Sequence, residues 1–345
     1  MKMNNLKYPA FLLLIVLFAN VLKAQTVSIL QQGKPTSIRG LSVVDDSVAW
    51  ISGSKGNIAI TRNGGKNWDW QQVKGFEKAD FRDIEAFSDK EAIIMSSGTP
   101  ALILKTTDGG INWQVKYRNT DTAYFFDAMD FADKKHGYIL GDPINNKFVL
   151  METKDGGESW NVFKNRPDAL PGEAAFAASG TCLRAWNDKI SIASGGIHSR
   201  TLMYFTDSKK KNNEWVIDDL PILKGKSSQG AFSFACDKSG TWIFVGGDYS
   251  HDILKDSVAC YIKDGSYADH FFIPKQGPSG FQSCVEYISG NIFLSTGTPG
   301  SNITTDGGKT WSKIDGTSFN VCRKAKHGKL VLLAGNGGKI GVLKM

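Results

Sequence analysis

Short apolar runs that end in glycine recur along the chain. Each run is a few residues long and is bounded by turn-forming residues, which is typical of a short β-strand. The runs end at Gly53, Gly98, Gly141, Gly195, Gly246, Gly297 and Gly335, so successive runs lie 38 to 54 residues apart. A regular interval of this size indicates seven copies of one all-β unit.

A second pattern, T-x-[DN]-G-G-x-[NST]-W, accompanies the runs in four of the copies. It occurs at Thr61–Trp68, Thr106–Trp113, Thr153–Trp160 and Thr304–Trp311. The Asp or Asn can accept hydrogen bonds within its own turn, and the two glycines can adopt positive φ. The Trp is large enough to pack one unit against the next. We predict rigid hairpins whose structural residues are Asn63, Trp68, Asp108, Trp113, Asp155, Trp160, Asp306 and Trp311.

Two further copies of this turn are altered. Tyr204 to Asp207 with Trp215 has the pattern of a turn lengthened by an insertion, and Tyr261 to Gly265 that of a turn without its Trp. The last repeat, from Ser318 to Met345, has room for only three strands. We predict that Val27 to Leu30 supplies the fourth strand and closes the ring, since closure removes exposed sheet edges. The expected fold is an all-β, seven-bladed β-propeller formed by residues 25–345 as one domain.

The turn pattern resembles the Asp-box, or BNR repeat, of sialidases and many other propellers. That resemblance implies a turn between the third and fourth strands of a blade. A wider resemblance covers nearly all of residues 25–345. It is to exported bacterial propellers similar to the photosystem II stability and assembly factors. It rests on the stretches Arg39 to Leu41, Trp50 to Gly56 and Asn63 to Trp68, and on their echo from Phe81 to Trp113. It implies a binding scaffold with an arginine-lined patch that holds a partner protein.

The first residues predict export. Lys2 and Lys7 precede an apolar stretch from Ala10 to Ala19, and Ala24 offers a small residue for cleavage, so residues 1–24 are predicted to be a signal peptide that leaves no stable membrane anchor. The formal net charge of +7 includes three signal lysines, which leaves +4 (7 minus 3). We therefore expect no nucleic-acid partner, and interpret the run Lys209 to Lys211 as a solvated hairpin tip.

Cysteine and histidine spacing predicts no metal site and no cofactor. Five cysteines occur without a C-x-x-C, so buried thiols are expected, although an oxidising compartment can bridge one pair. The five histidines have no paired spacing for a transition metal. No dinucleotide-binding glycine motif follows a strand and opens a helix. We expect a monomer.

Candidate binding residues follow from an apolar–polar pair at the start of the innermost strand of most repeats. Period-two geometry places the polar member towards the central channel. The loops after the second strands lie on the same face, and the small, apolar connection from Pro171 to Gly180 is expected to fold over or into the channel mouth. The predicted ligand-binding or partner-binding residues are Arg39, Arg82, Asp127, Asp142, Glu173, Arg200, Asp248, Tyr249, Gln282 and Asn320.

Three functions remain open for this face. Arginines and carboxylates in one concavity can bind a peptide or a small polar ligand, including a carbohydrate. A sialidase-like glycosidase would need three arginines and a Tyr nucleophile, for which Arg39, Arg82, Arg200 and Tyr249 are candidates. Another enzyme could use Asp127, Asp142, Glu173 and Asp248 as acid and base. The same residues also suit structural roles, because Asp is common in turns and opposite charges can neutralise one another.

Overall fold

A computed structural model describes residues 25–206, 214–263 and 271–345. The predicted signal peptide, the run Lys209 to Lys211, and the altered-turn residues Asp207, Asp264 and Gly265 lie outside these ranges. The described residues form seven antiparallel sheets arranged as the blades of a propeller, and they contain no helix. Accordingly, none of these ranges holds a helix long and apolar enough to cross a membrane.

The chain builds the blades in order, with the first strand of each blade innermost. The N-terminal strand is β1 (Thr26–Gln31). Blade 1 consists of β2 (Ile38–Val43), β3 (Ala49–Gly53), β4 (Asn57–Thr61) and β5 (Asp69–Gln72). Blade 2 consists of β6 (Asp80–Ala86), β7 (Ala92–Ser97), β8 (Ala101–Thr106) and β9 (Gln114–Asn119). Blade 3 consists of β10 (Phe126–Phe131), β11 (Gly137–Ile144), β12 (Lys147–Thr153) and β13 (Asn161–Val162).

The remaining blades include one departure from the four-stranded pattern. Short strands β14 (Glu173–Ala174) and β17 (Gly195–Gly196) extend the inner edge of blade 5. Blade 4 consists of β15 (Leu183–Trp186), β16 (Lys189–Ala193), β18 (Arg200–Phe205) and β19 (Trp215–Asp219). Blade 5 continues through β20 (Gln229–Cys236), β21 (Trp242–Asp248) and β22 (Ala259–Ile262). Blade 6 consists of β23 (Cys284–Ser289), β24 (Ile292–Gly297), β25 (Gly300–Thr304) and β26 (Ser312–Asp315). Blade 7 contains β27 (Val321–Lys324), β28 (Val331–Gly335) and β29 (Lys339–Lys344).

The predicted ring closure is confirmed. Blade 7 has the strand order β1-β29-β28-β27, so the N-terminal strand takes the outermost place that a fourth strand fills elsewhere. β1 is antiparallel to β29, with Thr26 opposite Lys344 and Ile29 opposite Gly341. Val27 packs against the core between blades 7 and 1. The pairing therefore covers the edge of β29 with backbone hydrogen bonds and apolar contact.

The four Asp-boxes share a set of local hydrogen bonds, and those of blades 2, 3 and 6 add one from the side chain that precedes the Trp. In blade 3, the Thr153 hydroxyl accepts from the Gly157 amide at 2.9 Å and donates to Asp155 at 2.8 Å. Asp155 in turn accepts from the backbone amide and the hydroxyl of Ser159. These bonds, led by that of the Ser159 hydroxyl, lower the pKa of Asp155 to about 2. The carboxylate is thus engaged within its own turn.

The second glycine and the Trp of each Asp-box pack against the preceding blade. Gly157 has a φ of +83°, and an added Cβ would lie 2.4 Å from Ile93 Cδ1 of blade 2, so both conformation and close approach require glycine. Trp160 and Trp311 are buried between neighbouring blades. Trp113 makes an edge-to-face contact with Trp50, at 6.4 Å between ring centroids. The boxes therefore connect blades as well as strands.

A girdle of hydrogen bonds joins the seven innermost strands around the channel. In every case a side chain of one blade bonds a backbone group of the next. The acceptor side chains are Ser42 for the Ala86 amide (3.1 Å), Asp83 for Met129 (2.8 Å), Asp130 for Ala185 (2.6 Å) and Ser233 for Val285 (2.8 Å). The donor side chains are Arg184 to the Phe234 carbonyl (3.2 Å), Ser283 to Asn320 (2.7 Å) and Asn320 to Ile38 (2.9 Å). Together these bonds run through all seven blades and return to the first.

All five cysteines are free thiols. Four are buried and Cys236 is half-buried. The Sγ atoms of Cys284 and Cys322, on the inner strands of blades 6 and 7, lie 3.7 Å apart. This distance is well beyond the ~2 Å of a disulfide bond.

Deletion of Thr26–Gln31 tests the closure. We expect the deletion to destabilise the fold by at least ~3 kcal/mol, because it removes a full edge pairing and exposes the core beneath Val27. Thermal and denaturant unfolding monitored by circular dichroism measure the change. Ile29→Thr, at a well-exposed position of the same strand, is the control and should unfold nearly as the parent protein does. An unchanged unfolding curve for the deletion would contradict the closure.

Candidate functional site

The central channel has two mouths, one at each end of the innermost strands. We call the end where these strands begin the strand-start mouth, and the other end the Asp-box mouth. Because neighbouring strands are antiparallel, the loops after the second strands lie at the strand-start mouth. The turns after the third strands, which carry the Asp-boxes, lie at the opposite end.

The strand-start mouth is closed by a plug segment, residues 175–181. Every residue of this segment is buried except Phe176, which is half-buried. Its backbone reaches blades 1 and 3, where the Ala178 carbonyl accepts from Arg39 and the Ala175 amide donates to Asp142. This confirms the prediction that the connection into the fourth blade folds into the mouth.

The plug segment also penetrates to the channel axis. Gly180 has a φ of +70°, and an added Cβ would lie 2.0 Å from Asp83 Oδ2, so no larger residue fits at this place. The Ser179 hydroxyl donates to the Ser283 carbonyl of blade 6 at 2.8 Å. The Thr181 hydroxyl donates to Ser233 of blade 5 at 2.5 Å. A ligand that approaches from this side therefore meets the plug rather than an open channel.

Arg39 and Arg82 lie beside the plug and remain partly exposed. Each is the additional residue of a β-bulge at the start of its strand. Arg82 donates to Asp80 at 2.7 Å and lies over the Phe125 ring. Burial and the neighbouring Arg82 charge lower the pKa of Arg39, so the two guanidinium groups repel each other. An anionic group placed between them would relieve this repulsion.

Asp127 and Asp142 lie below these arginines. Asp127, also a bulge residue, is 1% exposed, and its Oδ2 has no hydrogen-bond partner among the described residues. Burial, followed by the nearby charge of Asp142, raises the pKa of Asp127 well above its usual range, against the effect of Arg82 and the Ala177 amide. Burial likewise raises the pKa of Asp142. Both carboxyls therefore hold protons more tightly than exposed ones do.

Glu173 and Arg200 form a buried ion pair. Arg200 donates to both carboxylate oxygens of Glu173, at 2.9 and 2.5 Å, and also to the Asp168 carbonyl. Ser194 and the Leu170 amide complete the hydrogen bonding of Glu173. The structure thus places Arg200 of blade 4 in a bidentate pair with Glu173 of β14, separate from Arg39 and Arg82. It does not assemble the three free arginines that a sialidase-like site requires.

The other predicted site residues divide into buried and exposed side chains. Asp248 is buried, which raises its pKa, but hydrogen bonds from Gln229, Ser228, the Ser250 amide and His251 outweigh burial and lower the pKa to about 2. Gln282 accepts from Ser295 and Asn302 within blade 6, and Asn320 belongs to the girdle. Tyr249 is 53% exposed and contacts the rings of Phe232 and Phe281.

The Asp-box mouth is open and holds a cavity of about 650 Å³. Residues from the ends of all seven inner strands line it. The charged residues of this cavity, Asp130, Arg184, Glu286 and Arg323, are not among the binding residues predicted from the sequence. One signal was present: Arg184 and Glu286 each interrupt a mainly apolar strand, as in Val285-Glu286-Tyr287. Charge at such a position indicates a polar channel wall.

The fold and its turns define this protein as an Asp-box seven-bladed β-propeller. A family model described as "Photosynthesis system II assembly factor YCF48" matches residues 21–120, and the BNR/Asp-box repeat matches residues 303–313. The photosystem II assembly lipoprotein Ycf48 of Synechococcus sp. (strain CC9902) is 29% identical over 126 residues, 35% of either chain. The photosystem II stability/assembly factor HCF136 of Arabidopsis thaliana, chloroplastic, is 31% identical over 98 residues, 27% of this chain and 23% of that relative. These matches span only about a third and a quarter of the relatives' lengths.

Solved structures share the fold over nearly the whole ring. One described as YCF48 bound to D1 peptide has a TM-score of 0.64 at 14% identity and covers 92% of this chain and 95% of its own. YCF48 from Cyanidioschyzon merolae has a TM-score of 0.62 at 13% identity, with 92% and 98% covered. A virginiamycin B lyase from Staphylococcus aureus reaches 0.65 at 13% identity, with 93% and 99% covered. The chain is thus similar to the photosystem II assembly factors in the sequence of its first repeats, and to several propellers in fold.

Asp83 generates a prediction about pH. Burial raises its pKa to about 7, against the lowering effects of Arg323 and of the Met129 and Ile84 amides. An unfolded Asp has a pKa of ~3.9, so between about pH 4 and 7 the folded protein keeps a proton that the unfolded chain has released, and stability falls as pH rises. In Asp83→Asn this part of the pH dependence should disappear, a difference on the order of 2–4 kcal/mol across the window.

Urea unfolding at several pH values measures this difference. The slope of the unfolding free energy against pH is compared between variants, because the substitution also changes hydrogen bonds at every pH. Asp121→Asn replaces an exposed carboxylate and should keep the parent slope. Equal slopes for the parent protein and Asp83→Asn would show that Asp83 does not titrate in this range.

The Glu173–Arg200 pair generates a prediction about stability. Arg200→Met leaves a buried carboxylate without its partner and should destabilise the fold by about 3–5 kcal/mol. The double variant Glu173→Gln/Arg200→Met removes both charges and should recover much of that loss. Denaturant unfolding in a double-mutant cycle measures the coupling. Additive effects of the two substitutions would show that the pair is not coupled as the geometry requires.

Proposed function

We propose that this protein is an exported scaffold that binds an extended peptide segment of a partner protein across its strand-start mouth. The proposal rests on the surface chemistry of this mouth, together with the similarity to photosystem II assembly factors. One of the structurally similar propellers is described as bound to a peptide, which supports peptide binding as the activity. The identity of the partner does not follow from that similarity.

One observation carries the proposal: a closed mouth with guanidinium groups on one side and exposed apolar side chains on the other. Arg39 and Arg82 belong to blades 1 and 2. Across the plug, the loop after β21 exposes Tyr249, Ile253 (76% exposed) and Leu254. Exposed apolar groups beside charged ones mark interaction surfaces. A peptide that combines acidic and apolar residues would match both sides.

The closed mouth also favours a peptide over a small substrate. The buried plug fills the space in which a pocket for a small molecule would lie, and Asp127 is covered by it. An extended chain can lie across such a surface and use backbone as well as side-chain contacts. The arginines would supply charge-assisted hydrogen bonds, which are stronger than neutral ones.

Export is the second part of the proposal. It is supported by the charged and apolar pattern of residues 1–24. Two relatives are described as a lipoprotein and as chloroplastic. Cell fractionation of the full chain, together with N-terminal sequencing of the mature protein, tests it; a cytoplasmic protein with an intact N-terminus would contradict it.

The double variant Arg39→Ala/Arg82→Ala tests peptide binding. A library of extended peptides that vary in acidic and apolar content is the probe, and fluorescence anisotropy measures affinity. We expect the parent protein to select acidic–apolar peptides and the double variant to lose at least about tenfold in affinity with an unchanged melting curve. The control Lys66→Ala/Lys309→Ala removes the same charge from exposed Asp-box turns and should bind as the parent does.

Two results would contradict the proposed function. If the arginine double variant still selected acidic–apolar peptides, the strand-start mouth would not be the surface that binds them. Turnover of fluorogenic sialosides or other glycosides by the purified protein would instead favour a hydrolase, the alternative that the sequence left open.

A further inference from the structure

The cavity at the Asp-box mouth forms a well with one open end. Its wall is made by the ends of all seven inner strands, and the plug segment fills the opposite part of the channel. The well is therefore separate from the surface to which we assign peptide binding. Its volume of about 650 Å³ is in the range of small-molecule pockets.

Charged side chains on the wall are arranged around Glu286. Arg184 donates to Glu286 Oε2 at 3.0 Å, and Arg323 Nη1 lies 3.7 Å from the same oxygen. Glu286 Oε1 accepts from the Lys324 amide at 3.4 Å. Two guanidinium groups thus share one carboxylate, and Arg323 Nη1 has no hydrogen-bond partner among the described residues. A buried donor without an acceptor is unfavourable unless a ligand or water supplies one.

The other carboxyl groups of the well are paired with a neighbour or hold a proton more tightly than an exposed carboxyl does. Glu85 pairs with Lys326. Asp130 accepts from the Ala185 amide, and burial raises its pKa to about 6, against the effect of Arg184. The lining holds five basic side chains (Lys134, Arg184, Arg323, Lys324 and Lys326) against four carboxylates (Glu85, Asp130, Asp133 and Glu286). The balance favours an anion over a cation.

Aromatic side chains supply the second feature of the well. Phe87, Phe131, Trp186 and Tyr287 line it and are all half-buried. Phe87 and Phe131 meet edge to face, at 5.2 Å between centroids. Rings disposed in this way can pack against a planar or apolar ligand body, while a charged end reaches the guanidinium groups.

We propose that this well is a binding site for a small organic carboxylate with a planar or apolar body. Its carboxylate binds Arg323 Nη1 beside Arg184, and its body lies among Phe87, Phe131, Trp186 and Tyr287. Glu286 competes with the ligand for the same guanidinium groups. Loss of the Glu286 charge therefore strengthens binding, whereas loss of the Arg323 charge weakens it.

A panel of aromatic carboxylates and their neutral amides, including indole-3-acetate and indole-3-acetamide, is the probe. Calorimetry measures affinity, and NMR follows the Trp186 indole N–H, assigned with Trp186→Phe. We expect at least one acid of the panel to bind and to shift this resonance, with its amide at least about tenfold weaker. The proposal would be overturned if none of the acids bound saturably, or if each acid and its amide bound with equal affinity.

Variants then test the wall residues. Arg323→Gln should lower the affinity for the acid at least tenfold, and Glu286→Gln should raise it severalfold. Lys66→Gln, which removes a charge from the same face outside the well, should change it less than twofold. Unchanged binding in Arg323→Gln, or weaker binding in a folded Glu286→Gln, would overturn the assignment. If a variant fails to fold, the comparison of acid and amide binding to the parent protein still tests whether the well binds a carboxylate.

Discussion

The ring depends on how the innermost strands satisfy their free backbone groups. In six blades the innermost strand is a sheet edge that faces the channel, and in blade 5 β17 covers β20 only near its start. Unpaired N–H and C=O groups on such an edge would be costly when buried. The girdle resolves this by having a side chain of one blade bond the backbone of the next. Polar residues near the axis are therefore required by the architecture. Polarity in a propeller channel is not by itself a sign of function.

Because the girdle and its neighbours use so many polar groups, few side chains remain for ligands. Asp83, Asp130 and Asn320 bond neighbouring blades, and Glu173 and Arg200 bond each other. The groups left over are informative for that reason. They include Arg39 and Arg82 at the strand-start mouth, which are partly exposed although each makes a hydrogen bond, and Arg323 Nη1 at the Asp-box mouth, which has no hydrogen-bond partner among the described residues. The plug segment separates them, so the two mouths can differ in the chemistry of what they bind.

The fold was predictable because its signals are local. An Asp-box fixes its own turn through contacts within a few residues, as between Thr153 and Ser159, and its Trp identifies the neighbouring blade as the packing partner. Ring closure followed from a count of strands. The Asp-box turn is read from a short stretch of sequence, and ring closure from the number of strands in each repeat. Neither inference requires knowing which side chains meet across the ring.

The site was less predictable because it depends on distant contacts. A period of two assigns a face to each residue only while pairing is regular, and the bulges at Arg39, Arg82 and Asp127 interrupt that regularity. The partnership of Glu173 with Arg200 joins β14, at the inner edge of blade 5, to β18 of blade 4. The well at the Asp-box mouth collects two to five residues from each blade, so no single stretch of sequence contains its pattern.

The place of β1 also bears on how the molecule is made. A ribosome synthesises this strand before any other described strand, yet its hydrogen-bonding partner, β29, emerges last. Until β29 has been synthesised, β1 lacks this partner, so the closed ring cannot form before then. The ring can therefore close only after nearly all of the described residues have been synthesised, which leaves an interval in which a chaperone can hold the unfinished chain.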